Sequence, residues 1–399
     1  MKIAYIVTKY PSITETFLKR EINTLNKLGL DITIFAAARS NNRKADNNKN
    51  TVIYRPALIS KDSFLATKYT FRKFPSAPFK ILLLFLKSLL SFSSDAKTLL
   101  GNLHTICYYI YFIDKYRLSH IHAYFLNWPA CIGLAITKIT NKPFSIAAHA
   151  RDIFVEATQV KEKTKNAKFI VACSKQAVNH LKKILPQKLH KKIHLNYHGI
   201  NLNSTILPDT SQKPKNNILI AVGRLIPKKG FPNLLHAFAI VLKRFPQTIL
   251  LIVGDGPQQN NLSEMCKDLK LKQNALLLGW QNNKTTIKLI NDSNILLVPS
   301  IIDSQGDRDG IPNVILEAIA TKTPVIASRL PGIKEIIKNN STGLLCNPND
   351  CCNLAESIKY LLVNLNLRRK LAQNAYEKLK KDFDCEKNCK KLIKLFKKS

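Results

Sequence analysis

The chain has 399 residues, 45% of them hydrophobic, which is too long for one ordinary core and predicts two soluble globular domains. Its 62 Lys and Arg against 26 Asp and Glu give a formal net charge of +36, which favours anionic partners (nucleic acid, an acidic membrane face or phosphorylated substrates) without choosing among them. Nine scattered cysteines without a C-x-x-C pair argue against a disulfide framework or a zinc site and predict free thiols in a reducing cytosol.

Short apolar strands alternate with amphipathic helices through the first half of the chain. The N-terminal sequence MKIAYIVTKY predicts a buried first strand rather than a secretory signal, and a helix over 15–28 ends at Gly29. The strands are predicted at 3–7, 32–36, 120–123, 144–148, 169–173 and 193–197. This alternation is typical of parallel sheets covered by helices on both faces.

The most apolar segment, FKILLLFLKSLLSF at 79–92, contains Lys80, Lys87 and Ser88. It is shorter than the roughly 18–20 apolar residues that span a bilayer, so no transmembrane helix is predicted. Residues 70–87 combine apolar and cationic side chains, as an interfacial segment does. Contact with an anionic membrane and an ordinary domain helix with a solvated basic edge both remain open.

Histidines mark two of these strands. The segment FSIAAHARDIF ends a strand with His149 and places Asp152 just beyond it. A histidine at a strand end can donate to a developing oxyanion or a sugar hydroxyl, and a structural histidine is the alternative. His120 and His122 alternate along an earlier strand and share a face, which suits a metal, but no third ligand spacing accompanies them.

The polar, proline-containing stretch at 201–217 breaks the rhythm and predicts a linker. Strands and helices then alternate again through ILIAVGR, TILLIVGDG, ALLLGW, ILLVPS, PVIAS and TGLLC. Two doubly wound domains in tandem, with a cleft between them, are therefore expected. Ligands in such sheets bind at the carboxyl ends of the strands.

The segment AVGRLIPKKGF at 221–231 joins a strand to a helix. Arg224 leaves the strand end, and Lys229 lies just before Gly230 and the helix. A guanidinium, an ammonium and free backbone N–H groups would form a diphosphate clamp without a divalent metal. A surface loop that is basic by chance is the alternative in so basic a chain.

The segment VGDGP at 253–257 follows the next strand. G-x-G without a third glycine is a weak phosphate-loop signal. The glycines are more simply explained by a close approach of two backbones.

The segment GDRDGIPNVILEAIA at 306–320 holds Asp309 just before a helix and Glu317 about one turn inside it. Pro312 suits the first helical turn, so Gly310 and the N–H groups beyond it would form an anion-binding helix end. Glu317 could accept two hydrogen bonds from a ribose diol, and Asp309 could bind sugar hydroxyls. The alternatives are a helix N-terminal acid with a salt-bridged glutamate, and a D-x-D metal site that includes Asp307.

The last segment, about 367–399, is predicted to be helical and is densely basic. A solvated helix that packs through its apolar side chains and a helix that contacts an anionic membrane both fit this pattern.

Taken together, these motifs resemble the retaining glycosyltransferases of family 4, which have the GT-B fold, and most of all the subgroup that builds bacterial exopolysaccharides such as colanic acid and amylovoran. The resemblance rests on YPSITETFLKREINTLNKLGLDITIFA, HIHAYF, FSIAAHARDIF, YHGIN, VGRLIPKKGF, IVGDGP, LLLGWQ and GDRDGIPNVILEAIATKTPVIAS, in this order. It covers nearly the whole chain and implies two Rossmann-like domains, with the C-terminal helix packing back on the first. We place the domains at 1–200 (acceptor-binding) and 218–380 (nucleotide-sugar-binding), the linker at 201–217 and the basic C-terminal helix at 381–399.

The resemblance also implies residue roles. Arg224 and Lys229 would hold the donor diphosphate, Glu317 the nucleotide ribose, and His149 would lie beside the transferred sugar, with Asp309 and Glu317 as the acidic pair of the catalytic centre. That pair is usually two glutamates, so Asp309 moves one carboxylate back by a methylene. The implied site residues that complete this set are Gly223, Gly310 and Ile311 on the donor side and Thr14, Glu15 and Asp152 on the acceptor side.

The implied reaction (EC 2.4 class) is transfer of a hexosyl-type sugar from a UDP- or GDP-sugar to a saccharide or lipid-linked oligosaccharide. The anomeric configuration would be retained and no metal or other cofactor would be needed. The expected setting is bacterial exopolysaccharide or lipopolysaccharide biosynthesis, in the cytoplasm or peripherally on the inner membrane face, with no nucleic-acid partner. A catalytically weak scaffold of a polysaccharide-assembly complex and a nucleotide-sugar epimerase are the alternatives.

Overall fold

A computed structural model describes residues 1–12, 15–39, 50–91, 93–202 and 217–399. The chain divides into two compact units: unit 1 is Met1–His198 with Glu386–Ser399, and unit 2 is Gly199–Cys385. Thr14, predicted on the acceptor side, and most of the predicted linker lie outside the described residues.

Unit 1 is built on a seven-stranded sheet in the order β3-β2-β1-β4-β5-β6-β7, and every neighbouring pair is parallel. Its strands are β1 (Lys2–Tyr10), β2 (Asp31–Arg39), β3 (Val52–Tyr54), β4 (His120–Tyr124), β5 (Phe144–Ala148), β6 (Phe169–Ala172) and β7 (Ile193–Leu195). Its helices are α1 (Thr16–Lys27), α2 (Lys61–Lys73), α3 (Ala77–Leu90), α4 (Asp95–Gly101), α5 (Leu103–Lys115), α6 (Trp128–Thr140), α7 (Ala150–Phe154), α8 (Val160–Asn166), α9 (Lys175–Ile184) and, from the end of the chain, α17 (Cys385–Lys397).

The strand order of unit 1 brings three loops together. β1 lies between β2 and β4, with Ile3 beside both Ile32 and His120, so the direction of chain progression reverses at β1 and β4. Every residue of β4 and β5 is buried, as expected of central strands with helices on both faces. The segments that follow β1, β4 and β5 therefore meet at one edge of the sheet.

Unit 2 repeats this architecture with six parallel strands in the order β10-β9-β8-β11-β12-β13. Its strands are β8 (Ile218–Val222), β9 (Ile249–Val253), β10 (Ala275–Leu277), β11 (Ile295–Val298), β12 (Val325–Ser328) and β13 (Leu344–Cys346). Its helices are α10 (Phe231–Leu242), α11 (Gln259–Asp268), α12 (Asn283–Asn291), α13 (Asn313–Ala320), α14 (Ile333–Ile336), α15 (Cys351–Val363) and α16 (Leu365–Asp382). The reversal lies between β8 and β11, so the loops after β8, β9 and β11 share an edge. The predicted pair of doubly wound parallel-sheet domains is confirmed.

The C-terminal segment, predicted to be helical over about 367–399 with a basic last helix at 381–399, forms two helices, α16 and α17. The backbone at Phe383–Cys385 bonds to Ile200 instead of continuing the helix: Ile200 N donates to Phe383 O and Cys385 N donates to Ile200 O. α16 stays with unit 2, whereas α17 packs on the sheet of unit 1, where the Phe396 ring lies 5.1 Å from that of His120. The expectation that the last helix packs back on the first domain is thus confirmed for α17.

No helix among the described residues combines the length and the apolar character needed to cross a bilayer.

Candidate functional site

The first part of the candidate site is the loop between β8 and α10 in unit 2. It leaves β8 at Gly223, carries the exposed Arg224, and closes in a 3₁₀ turn at Pro227–Lys229. Gly230 then starts α10 with φ +67°, and a Cβ there would lie 2.0 Å from the Pro299 carbonyl oxygen. Only glycine allows both this backbone conformation and this approach of the loop that follows β11.

The loop after β9 lies equally close to the first. A Cβ on Gly254 (φ +146°) would lie 1.9 Å from the Gly223 carbonyl oxygen, and one on Gly256 would lie 2.6 Å from that of Leu225. Leu225 N also donates to Asp255 O at 2.9 Å. The prediction that these glycines permit a close approach of two backbones is confirmed.

Two lysines of the first loop pair with two aspartates of the loop after β11. Lys229 Nζ lies 2.8 Å from Asp309 Oδ2, and Lys228 Nζ lies 3.1 Å from Asp307 Oδ2 and 3.8 Å from Asp309 Oδ1. Ser300 Oγ donates to Asp309 Oδ2 at 2.7 Å. Burial alone would raise the pKa of Asp309, but the attraction of Lys229 and then Lys228 outweighs it and lowers the pKa below 3.8. Asp309 is therefore a buried anion held between cations.

Two members of this network, Lys228 and Asp307, were not predicted. Asp307 is 3% exposed and is a buried ion-pair partner of Lys228. In the sequence, this network corresponds to the KK pair at 228–229 and the D-x-D pattern at 307–309. The pairing depends on β8 and β11 being neighbours in the sheet, although about 80 residues apart in the chain.

Glu317 lies on α13, which begins just after Pro312 as predicted. Six of the other seven residues of this helix are apolar and buried, and Glu317 itself is only 6% exposed. Asn283 Nδ2, at the start of α12, donates to Glu317 Oε1 at 3.4 Å. A carboxylate on a buried apolar helix needs polar partners, and Asn283 is one of them.

The remaining predicted donor-side residues surround the same loops. The Lys229 side chain passes over Gly223, since a Cβ on Gly223 would lie 3.2 Å from Lys229 Cε. Gly310 packs against Gly332, where a Cβ would lie 2.3 Å from the Gly310 carbonyl oxygen. Ile311, half-buried, follows Gly310 and precedes the helix. Unit 2 therefore brings Gly223, Lys229 and Asp309 into contact.

His149 lies in unit 1, at the end of β5, among aromatic rings. Its ring centroid is 4.6 Å from that of Phe125 and 4.9 Å from that of Tyr124, and it stacks on His198 at 5.0 Å with an interplanar angle of 8°. Burial, and then the charges of His198 and His122, place the pKa of His149 well below 6.5. The imidazole is neutral, and Nδ1 is buried without a hydrogen-bond partner among the described residues.

Sequence reasoning missed the part that His198 plays. It is half-buried, contacts Phe17 at 4.4 Å between ring centroids, and also leaves its Nε2 buried without a described partner. The segment YHGIN had been noted without a role. The stacked pair of His149 and His198 therefore offers two polar ring atoms among apolar ones, which suits hydrogen bonding to an uncharged ligand.

Asp152 and Glu15, predicted on the acceptor side, are placed differently. Asp152 is 1% exposed, and its carboxylate accepts from the backbone N–H of His149 at 2.7 Å and from that of Leu126. Burial raises the pKa of Asp152 to about 7 despite these bonds. This contact positions His149, whereas Glu15 is half-buried just before α1. Contact of either residue with an acceptor stays a prediction.

His120 and His122 share a face as predicted, but Ser145 occupies the position between them. Its Oγ lies 2.7 Å from His120 Nε2 and 2.7 Å from His122 Nδ1. His120 Nδ1 also contacts Ser399 Oγ at 3.1 Å. In the described ranges, His, Cys, Asp and Glu side chains form no group of three that could hold a metal ion.

Two units with parallel sheets of this kind, each with polar groups at the strand ends, define the GT-B fold of glycosyltransferases. The crystal structure of Anabaena Alr3699/HepE in complex with UDP and glucose has this fold: it superposes with a TM-score of 0.74 and 18% identity, covering 100% of both chains.

Sequence comparison gives the class more closely. Residues 204–378, all within the range of unit 2, match the family Glycosyl transferases group 1. The chain is 26% identical over 288 residues to N-acetyl-alpha-D-glucosaminyl L-malate synthase of Bacillus anthracis, covering 69% of this chain and 72% of that one. It is 27% identical over 169 residues to the lipopolysaccharide core biosynthesis glycosyltransferase LpsE of Rhizobium meliloti, covering 42% of this chain and 46% of that one. These matches support a group 1 glycosyltransferase.

Proposed function

We propose that the protein transfers a sugar from a nucleotide-sugar, a UDP- or GDP-sugar, to a saccharide acceptor with retention of the anomeric configuration. In this reaction the bond between the anomeric carbon and the diphosphate breaks, and a bond to an acceptor hydroxyl oxygen forms on the same face. The hydroxyl proton goes to the leaving phosphate oxygen. Atoms and charge then balance without an added base, metal or cofactor.

The observation that carries the proposal is the cluster of charges at the carboxyl ends of β8 and β11. Lys229 lies in the 3₁₀ turn just before α10, and Arg224 is exposed on the same loop. A diphosphate approaching this loop would compete with Asp309 for the Lys229 ammonium, which is 2.8 Å from it. The buried Glu317 would accept hydrogen bonds from the ribose.

We further propose that the acceptor is a lipid-linked oligosaccharide of bacterial exopolysaccharide or lipopolysaccharide assembly, used at the cytoplasmic face of the membrane. LpsE, named for lipopolysaccharide core biosynthesis, supports this setting at low identity. His149, neutral and with an unpartnered Nδ1, suits a sugar hydroxyl. We place its contact on the transferred sugar.

The test is a panel of UDP- and GDP-sugars incubated with the purified protein and no added metal, with release of the nucleoside diphosphate as the readout. One donor should be slowly hydrolysed, and both Glu317→Gln and Lys229→Met should lower its turnover about 100-fold or more. Retention is checked on a transfer product by the anomeric proton coupling in NMR.

Matched controls come from exposed positions of unit 2. Glu264→Gln and Lys272→Met remove the same charges from the surface and should leave turnover unchanged. If no donor is bound or turned over, the protein is a scaffold. If the panel yields an epimerised nucleotide-sugar with no release of nucleoside diphosphate, the transferase proposal is wrong.

A further inference from the structure

The helix α3 of unit 1 is apolar on the side that faces away from the core. Its inner face is formed by Ala77, Ile81, Leu84 and Ser88, all buried. At 100° per residue, the apolar side chains that remain lie on the opposite side of the helix. They form what we call the outer face of α3, and their exposed fractions are 62% for Phe79, 50% for Leu82, 50% for Leu83, 42% for Leu86, 53% for Leu89 and 82% for Leu90.

This exposure is concentrated in one region of the chain. Of the 19 large hydrophobic side chains exposed in the described residues, 11 lie between Leu58 and Leu100. Scattered exposed leucines need no explanation, but a contiguous apolar helix face is typical of a surface that something covers. The outer face of α3 is therefore a candidate docking surface.

The neighbouring helix α2 supplies charge. Ser63, Ala66 and Thr70 form its buried side. The opposite side carries the exposed cations Lys61, Lys68 and Arg72, together with exposed Phe64 and Leu65. Residues 51–100 contain eight Lys or Arg and two Asp. A partner that accepts both an apolar helix face and a dense positive charge has an apolar layer beneath an anionic one.

We propose that α2 and α3 dock the protein on the surface of an anionic phospholipid bilayer. The outer face of α3 lies among the acyl chains just below the headgroups, and the cations of α2 contact lipid phosphates. α3 has 14 residues and is about 21 Å long at about 1.5 Å per residue, so it lies in the membrane plane and does not cross it. This deepens the proposed use of an acceptor at the membrane face, but it does not depend on the transfer reaction itself.

The experiment is sedimentation of the full chain with phosphatidylglycerol–phosphatidylethanolamine vesicles and with phosphatidylcholine vesicles, without donor or acceptor. Binding is expected to the anionic vesicles. The triple variant Leu83→Gln, Leu86→Gln, Leu90→Gln should weaken it at least about tenfold, and Lys68→Gln with Arg72→Gln should weaken it less and flatten its salt dependence. Because all these side chains are exposed, thermal unfolding should stay within a few degrees of the parent protein.

The matched control is Val363→Gln with Leu365→Gln, two exposed apolar side chains of unit 2 at 58% and 48% exposure, which should leave binding unchanged. Three results would overturn the proposal. The first is no sedimentation with anionic vesicles. The second is binding that is abolished by 0.5 M salt and indifferent to the triple variant, which means charge attraction alone. The third is a dimer in light scattering that the triple variant dissociates, which assigns the face to a second copy. None of these three measurements uses a donor, so failure of the donor panel would not affect them.

Discussion

The side chains near the carboxyl ends of the central strands differ in kind between the two units. In unit 1, aromatic rings and neutral imidazoles surround His149, whose pKa lies well below 6.5. In unit 2, Lys228 and Lys229 pair with Asp307 and Asp309, and glycines let the loops touch. The same sheet topology thus supports an uncharged site and a charged one. An uncharged sugar suits the first kind of surface, and a diphosphate suits the second.

The largest expected difference between the units is their response to acid. His120, His122 and His149 are buried and their pKa values are lowered by burial, so the stability linked to their neutral form is present above pH 6.5 and is lost as the pH falls. Each costs unit 1 about 2 kcal/mol at pH 5. Asp152 acts in the opposite direction, because its pKa is raised to about 7. Its contribution to stability is lost as the pH rises through that value and is present at pH 5. It therefore offsets the loss from about one histidine. A net loss of stability is therefore expected in unit 1 as the pH falls from 7 to 5.

In unit 2, the contribution of Asp309 has the same sign as that of the buried histidines but a lower pH range. Its pKa is lowered, so its contribution is lost only as the pH falls below 3.8. Trp128 lies in unit 1 and Trp280 in unit 2, so Trp280→Phe and Trp128→Phe give one fluorescent reporter for each unit. Urea unfolding is measured at pH 7 and pH 5. The free energy of unfolding reported by Trp128 should fall more between these pH values than that reported by Trp280. Equal losses of unfolding free energy in the two units would contradict the expected difference between them.

The close approach of loops in unit 2 is tested by Gly254→Ala. The new Cβ would meet the Gly223 carbonyl oxygen at 1.9 Å, so the backbone must move, at a cost of about 3 kcal/mol in the free energy of unfolding. Gly279→Ala is the matched control: it has φ +65° but nothing within 4 Å, so about 1 kcal/mol is expected. Chemical denaturation measures both. Equal costs would show that steric approach is not what requires Gly254.

The ion pair of unit 2 is tested by Lys229→Met alone and with Asp309→Asn. The single variant leaves a buried carboxylate without its nearest cation, so we expect a loss of about 2 kcal/mol in stability. The double variant removes the unpaired charge and should recover most of that loss, but not donor turnover. If turnover recovers together with stability, the Lys229 ammonium does not bind the diphosphate.

The smallest effect is expected from Asp307→Asn. Lys228 keeps Asp309 at 3.8 Å as a partner, so the free energy of unfolding should fall by about 1 kcal/mol. Donor turnover should stay within about tenfold of the parent protein. Asp268→Asn, an exposed aspartate of α11, should change neither. If Asp307→Asn lowers donor turnover as much as Lys229→Met does, Asp307 belongs among the donor-binding residues of unit 2.

Much of the fold followed from local patterns, because buried parallel strands read as continuous apolar runs. β5 was predicted at its observed bounds, and α1 within one residue at each end. β3 was missed, since three half-buried residues at a sheet edge carry little signal. The basic C-terminal helix was predicted from residue 381, whereas α17 begins at Cys385, because the break is set by the bonding of Ile200 to Phe383 and Cys385, distant in sequence.

By itself, the sequence determined which residue types stand in the segments that follow the strands: Arg224, Lys229, Asp309, Glu317 and His149 are where the alternation of strands and helices predicts them. The tertiary structure alone decided their partners. Lys228 meets Asp307, Asp152 binds the backbone of His149, and His198 stacks on its ring. The physical reason is that burial and charge depend on contacts across neighbouring strands. A residue's type and spacing fix what it can do, but only its neighbours fix its protonation state and the hydrogen bonds it still has to offer.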